Sequence, residues 1–140
     1  LLDDLGLGPA VQWYARNRLE ETDVEVHIEV DASSERLTSQ VETALFRIAQ
    51  EGVNNIARHA KAKKAILRLD VKDSKVTLMI QDDGQGFDVE YVRRLAQEKR
   101  NLGLFGIEER VSLFEGTLSI KSQPGQGTQL VAALPLSGDG

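Results

Sequence analysis

Glu51 and Asn55 stand four residues apart in the stretch 38–60, where Val41, Leu45, Ile48, Ala49, Val53, Ile56 and Ala60 recur at helical spacing. At about 100° per residue the two polar side chains fall one turn apart on the same side, with Arg58 close beside them. A polar helix face is most often plain solvated surface. Here, however, Asn54 and Asn55 lie well inside the helix, away from any end they could cap. Asparagine there costs about half a kcal/mol or more relative to alanine. Glu51 borders the apolar side, next to Ile48 and Gly52. A carboxylate in that setting is a candidate general base, and an amide oxygen is a hard donor suited to Mg²⁺.

Three glycine-bearing segments follow. D-D-G-Q-G-F at 82–87 comes directly after a strand pattern. Gly84 and Gly86 let backbone approach a planar or phosphate-bearing ligand, and Asp82 is an acceptor for an amino hydrogen. Asp-Gly loops after strands are most often simple turns, and the alternating acids of a calcium loop are absent. N-L-G-L-F-G-I-E-E-R at 101–110 puts glycines at the start of a helix, where free amides bind phosphate. It is neither a P-loop nor, without a parallel βαβ unit around it, a dinucleotide fingerprint. P-G-Q-G-T at 124–128 reads by itself as a hairpin turn with Thr128 at its exit.

The elements that must hold these residues are legible from periodicity. A helix is expected from Pro9, a good first helical residue, to about Glu21, residues 1–8 being the end of a preceding element. V-E-V-H-I-E-V at 24–30 alternates as a half-buried strand with His27 on its polar side. Thr38 or Ser39 caps the 38–60 helix. Strands at 64–71 and 75–81 form a hairpin through a D-S turn. The charged stretch 88–102 is expected to be mobile and partly helical. A helix at 104–114 is ended by Gly116, and two strands around Q-P-G-Q-G close the chain. The expected fold is α+β, an α/β sandwich with one mixed, largely antiparallel sheet and helices on one face.

Composition narrows the function classes. At 140 residues, 41% hydrophobic and 28% charged, the chain is the size and make-up of one ordered domain. A net charge of −5 argues against nucleic acid or an anionic membrane as the main partner. The absence of cysteine excludes disulfides and thiol chemistry, and His27 and His59 are too far apart for a zinc site. No stretch approaches the roughly 20 apolar residues that span a bilayer. The first residue is Leu and the chain opens on apolar sequence, so a segment of a longer protein is expected.

The order E-x-x-x-N on a helix, D-x-G-x-G, glycines before a helix, then G-x-G-T resembles the GHKL superfamily and its Bergerat ATP-binding fold. Within it, Q-E-G-V-N-N-I-A-R-H-A and G-L-F-G-I-E-E-R-V resemble histidine kinases that partner NarL-type response regulators. L-L-D-D-L-G-L-G-P-A-V-Q-W-Y resembles the junction after their dimerisation and phosphoacceptor helices. The resemblance covers nearly the whole chain. It implies that residues 1–22 end that helical region, 23–137 form the ATP-binding domain and 138–140 are a frayed tail.

The cofactors it implies are ATP and Mg²⁺. Asn55 would coordinate the metal, and Glu51 would orient or deprotonate the nucleophile. Asp82 would accept the adenine amino hydrogen bond, with Gly84 and Gly86 making room and Thr128 completing the polar wall. Gly103, Leu104 and Gly106 would shape the lid, and Arg58, with Lys99 and Arg100, would touch phosphate. His59 matches the family pattern with a structural role expected of it. Asn101 departs from the glycine that commonly begins the second glycine box, and asparagine tolerates left-handed backbone.

The activity implied is transfer of the ATP γ-phosphoryl group to a histidine upstream of residue 1, since neither His27 nor His59 matches a phosphoacceptor. The partners implied are the phosphoacceptor helices of the same protein or its dimer mate, and a response regulator. The setting is cytoplasmic, without nucleic acid or membrane contact by this segment. Two alternatives stand beside this: another GHKL type such as an anti-sigma serine kinase or an ATP-driven clamp, and a non-enzymatic nucleotide-binding interaction module.

Overall fold

The structure, a computed structural model, describes residues 6–31, 37–91, 94 and 102–136, with backbone alone at 59–60 and 102–105. Helix α1 (Leu7–Glu20) starts two residues before Pro9, because Gly6 turns the chain into it at φ 88°. Pro9 still falls within the first turn, where no intrahelical amide bond is lost. Gly8, expected in the preceding element, is helical: a Cβ on it would lie 3.0 Å from Val30 Cγ1, so it lets α1 close on the strand that follows. The helix ends with Asp23 at φ 60°, Asp23 N–H donating to the Glu20 carbonyl and Val24 N–H to that of Leu19, a Schellman closure.

Strand β1 (Glu25–Val30) keeps the expected alternation, and His27 lies on its solvent side, bonded to Glu25 at 2.8 Å. Thr38 caps helix α2 (Ser39–Asn55), its Oγ1 accepting from Val41 N–H at 3.3 Å. The α-helix stops five residues short of the expected end: Ile56–Ala60 is a π-helical turn, closed by Lys61 at φ 53°. Strands β2 (Lys64–Lys72) and β3 (Lys75–Asp82) form the expected hairpin. Asp73 and Ser74 both have positive φ, as a two-residue turn matched to strand twist requires.

Helix α3 (Leu102–Leu113) precedes β4 (Thr117–Ser122) and β5 (Thr128–Pro135). Its left-handed closing residue is Glu115, at φ 57°, not Gly116. Gly116 is needed for a different reason: a Cβ would run into the Ala133 carbonyl and the Leu134 side chain.

Among the described residues the sheet has order β1-β2-β3-β5-β4, with β1 and β2 parallel and every other pair antiparallel. The parallel pair is bridged by α2, as a crossover demands. Ala65, Leu67, Leu69, Val76, Leu78, Ile80, Leu130, Ala132 and Leu134 point to the helices and are buried. Leu45, Ile48 and Val53 of α2 and Val11 and Leu19 of α1 complete one core. The opposite sheet face is open, as antiparallel sheets permit. The mixed sheet with helices on one face is therefore as expected. Among the described residues no helix is long and apolar enough to cross a membrane.

Candidate functional site

Asp82 ends β3 in phase with Val76, Leu78 and Ile80, so its side chain faces the helices; it is only 9% exposed. Its Oδ1 accepts the Gly84 amide at 2.8 Å. Burial pushes the carboxyl above the ordinary aspartate range; the Gly84 amide pulls it back and the neighbouring Asp83 charge adds to the rise. The strand register sets Asp82 opposite Thr128 of β5, and Thr128 opposite Ser122 of β4. Cross-strand partners share a face, so the three form a polar row across the strand ends, with Ala65 of β2 on the far side of Asp82.

Ser122 is a site residue that motif reading missed; its only signal was the inward phase of T-L-S-I-K-S. Its Oγ accepts the Phe87 amide at 2.9 Å, donates to the Gly127 carbonyl at 3.0 Å and meets Thr128 Oγ1 at 2.8 Å. The loop after β3 is thereby sewn to the β4–β5 turn, a link repeated by Gly125 N–H to the Gln85 carbonyl at 2.5 Å. Gly86 and Gly127 adopt φ of 66° and 76°. A Cβ on Gly86 would strike the Gln123 carbonyl, and one on Gly127 the Asp82 carbonyl. The buried Gly84 supplies the amide that Asp82 accepts. A cleft of about 710 Å³ opens here, lined among others by Asp82, Val89, Ile120, Ser122 and Thr128, but touching neither Glu51 nor Asn55.

Helix α2 is brought to this strand at Gly52, where a Cβ would lie 2.5 Å from Ile80 Cδ1. Glu51, half-buried, is the neighbour of that contact, and Ile80 lies two residues before Asp82 on the same face. The two asparagines have different surroundings. Asn54 Oδ1 accepts from Tyr14 Oη at 2.8 Å and from Arg18 Nε at 3.0 Å, tying α1 to α2. Asn55 is exposed and its amide has no hydrogen bond among the described residues. Arg58 is exposed on the π turn. That turn is wound wider than an α-helix, so the spacing that sets Arg58 beside Glu51 and Asn55 does not carry through residue 58.

Asp83 closes the circuit between helix and loop. Its Oδ1 accepts the amides of Lys63 and Lys64 at 2.9 and 3.0 Å, just beyond the π turn. Those two amides hold its carboxyl below the ordinary range despite its exposure. Gly103 and Leu104 fall in the first turn of α3, and Gly106 follows with open space where a Cβ would stand. Residues 89–91 are helical, with Asp88 Oδ1 accepting the Tyr91 amide at 3.1 Å. Lys99, Arg100 and Asn101, the side chain of His59 and, of the stretch 88–102 expected to be mobile, residues 92–93 and 95–101 lie outside the described residues.

Chemically, a buried carboxylate beside a hydroxyl at a strand end can accept an amino hydrogen from a flat ligand. Among the described residues no group of three His, Asp or Glu side chains could hold a metal ion. One exposed amide oxygen is instead the donor set of a cation that takes most of its ligands from phosphate and water, as Mg²⁺ does.

The family described as histidine kinase-, DNA gyrase B- and HSP90-like ATPase matches residues 40–138. The signal transduction histidine-protein kinase/phosphatase DegS of Bacillus subtilis (strain 168) is 40% identical over 141 residues, covering 97% of this chain and 36% of DegS. The signal transduction histidine-protein kinase/phosphatase UhpB of Salmonella typhimurium is 34% identical over 135 residues, covering 96% of this chain and 25% of UhpB. This chain thus spans about a third or less of these relatives. The histidine kinase domain of the Erythrobacter litoralis EL346 blue-light activated histidine kinase superposes with a TM-score of 0.77 at 19% identity, over 94% of this chain and 61% of that one, a likeness of fold. The order of motifs, the sandwich that carries them and these matches agree: the chain belongs to the histidine kinase-, DNA gyrase B- and HSP90-like ATPase family.

Proposed function

We propose that this chain is the ATP-binding catalytic domain of a cytoplasmic sensor histidine kinase in two-component signalling, with residues 1–22 leading in from the dimerisation and phosphoacceptor helices. The observation that carries this is the buried Asp82 in line with Thr128 and Ser122, beside a helix that presents Glu51 and an exposed Asn55 with no side-chain partner among the described residues. Asp82 accepts the exocyclic 6-amino hydrogen of adenine, where guanine presents a carbonyl acceptor instead, and Thr128 forms the polar wall. Gly84 and Gly86 keep the loop against that wall. Asn55 holds Mg²⁺ through its side-chain oxygen. The metal, when bound, neutralises charge that develops on the phosphates. Gly103, Leu104 and Gly106 set the first amides of α3 toward the phosphates, and Arg58 supplies a positive charge at their edge. Glu51 orients the attacking imidazole or takes its proton.

The acceptor is a histidine outside this segment. His27 lies on the solvent side of β1, across the sheet from the helices, and His59 is on the turn that follows Asn55. Its helices, from the same protein or its dimer mate, and a NarL-type response regulator are the partners. The test mixes this chain with a helical segment bearing the phosphoacceptor histidine and γ-labelled ATP. Acid-labile phosphohistidine that disappears with Asn55→Ala supports the reading. Tight ATP binding with no phosphohistidine sinks it and makes the chain a nucleotide-binding interaction module.

A further inference from the structure

We propose that Asn54 is a positioning residue through which helix α1 sets the direction of Asn55; this rests on the reading of Asn55 as the Mg²⁺ ligand. The two neighbours are alike in sequence and differ in surroundings. Asn54 is half-buried and its one oxygen takes both the Tyr14 hydroxyl and the Arg18 Nε–H, from two successive turns of α1. The Tyr14 ring also meets Phe46 edge-on, with centroids 6.0 Å apart at 78°. Phe46 and Asn54 are eight residues, about 12 Å of helix axis, apart on α2, so Tyr14 meets that helix at two separate positions. Such a brace fixes the rotation of α2 as well as its position.

Its location gives the brace a consequence for the site. Asn54 is the last residue but one of α2 before the π turn, where the Ile56 amide is shared between the Gly52 and Val53 carbonyls. An amide shared in this way is common where an α-helix ends, and here it marks the change from α to π winding. Gly52 pins the helix to Ile80 from the sheet side, and Asn54 pins it to α1 from the other. Asn55, the next residue, has no partner among the described residues to hold it, so its direction follows from these two contacts. Arg18 also reaches Glu21 at 3.8 Å; the guanidinium thus remains anchored on α1 while its Nε–H bonds Asn54.

The test compares ATP affinity in saturating Mg²⁺ and in EDTA, a ratio a merely structural contact does not move. Asn55→Ala is the reference and brings the ratio toward one. Tyr14→Phe keeps the ring on Phe46 and removes only the hydroxyl, so it folds; it is expected to lower the ratio about 2- to 10-fold, with affinity in EDTA unchanged. Asn54→Ala lowers it further, and Asn54→Asp, which retains the acceptor oxygen, restores it. A changed ratio in Asn55→Ala with the wild-type ratio in both Tyr14→Phe and Asn54→Ala overturns the positioning role alone. A wild-type ratio in Asn55→Ala overturns the metal-ligand reading, and the positioning role with it.

Discussion

Thr128 stands opposite Asp82 in the antiparallel register of β5 on β3, and both side chains face the helices. Asp82 is nearly buried, while Thr128 is half-buried and bonded sideways to Ser122 at 2.8 Å. The hydroxyl is thus held by β4, and the carboxylate spends one oxygen on the Gly84 amide. The row is preset by strand pairing, so a ligand meets donors and acceptors already in place.

Asp82 works against the stability of the empty fold. Its native pKa lies above the ordinary 3.8, so the native state binds the proton more tightly than the unfolded chain. The stabilisation from protonation is complete below the unfolded value and is lost as pH rises through the raised native value. Asp82→Asn is therefore expected to leave the melting temperature of the empty protein unchanged or raised at neutral pH. The stability difference between wild type and variant should shift in the variant's favour as pH rises through the raised value, as read by denaturant melts at successive pH. Asp83, held low by the Lys63 and Lys64 amides, has the opposite sign. Its contribution is present above the ordinary value and lost as pH falls through the lowered one.

Gly125 and Gly127 both adopt positive φ in the β4–β5 turn, but only Gly127 is crowded, by the Asp82 carbonyl. Gly125→Ala is expected to cost about 1–2 kcal/mol, the left-handed strain alone. Gly127→Ala adds a backbone displacement and is expected to cost about 2–5 kcal/mol. Chemical denaturation separates the two; equal losses contradict the crowding.

Ser122→Ala removes the oxygen that takes the Phe87 amide and bonds Thr128. A loss of about 1–3 kcal/mol is expected from the groups left without it. Hydrogen exchange should quicken at the Phe87 amide while the β2–β3 hairpin amides keep their protection, because Ser122 ties the loop after β3 to the ends of β4 and β5 and bonds no amide of the hairpin.

Local rules made most elements legible: the alternation of V-E-V-H-I-E-V, the Thr38 cap and the D-S turn each act within a few residues. What stayed hidden depends on contacts distant in sequence. Gly8 falls inside α1 and not in the preceding element because it packs on Val30, which is invisible to a local reading. Asn54 and Asn55 have one propensity and two surroundings, separated by Tyr14 and Arg18 of α1. The π turn reflects a hydrogen-bond shift that side-chain periodicity does not report. Ser122 enters the site through strand register and loop contact, which no linear motif encodes.

The most direct test of the central claim, that the Asp82 row and Asn55 bind Mg-ATP, is calorimetric titration of Mg-ATP into wild type, Asp82→Asn and Asn55→Ala, each first shown folded by circular dichroism. The expected result is binding by wild type, a loss of about 10- to 150-fold in Asp82→Asn from the missing charge-assisted hydrogen bond, and a weakened, Mg²⁺-insensitive affinity in Asn55→Ala. Wild-type affinity in both folded variants contradicts it.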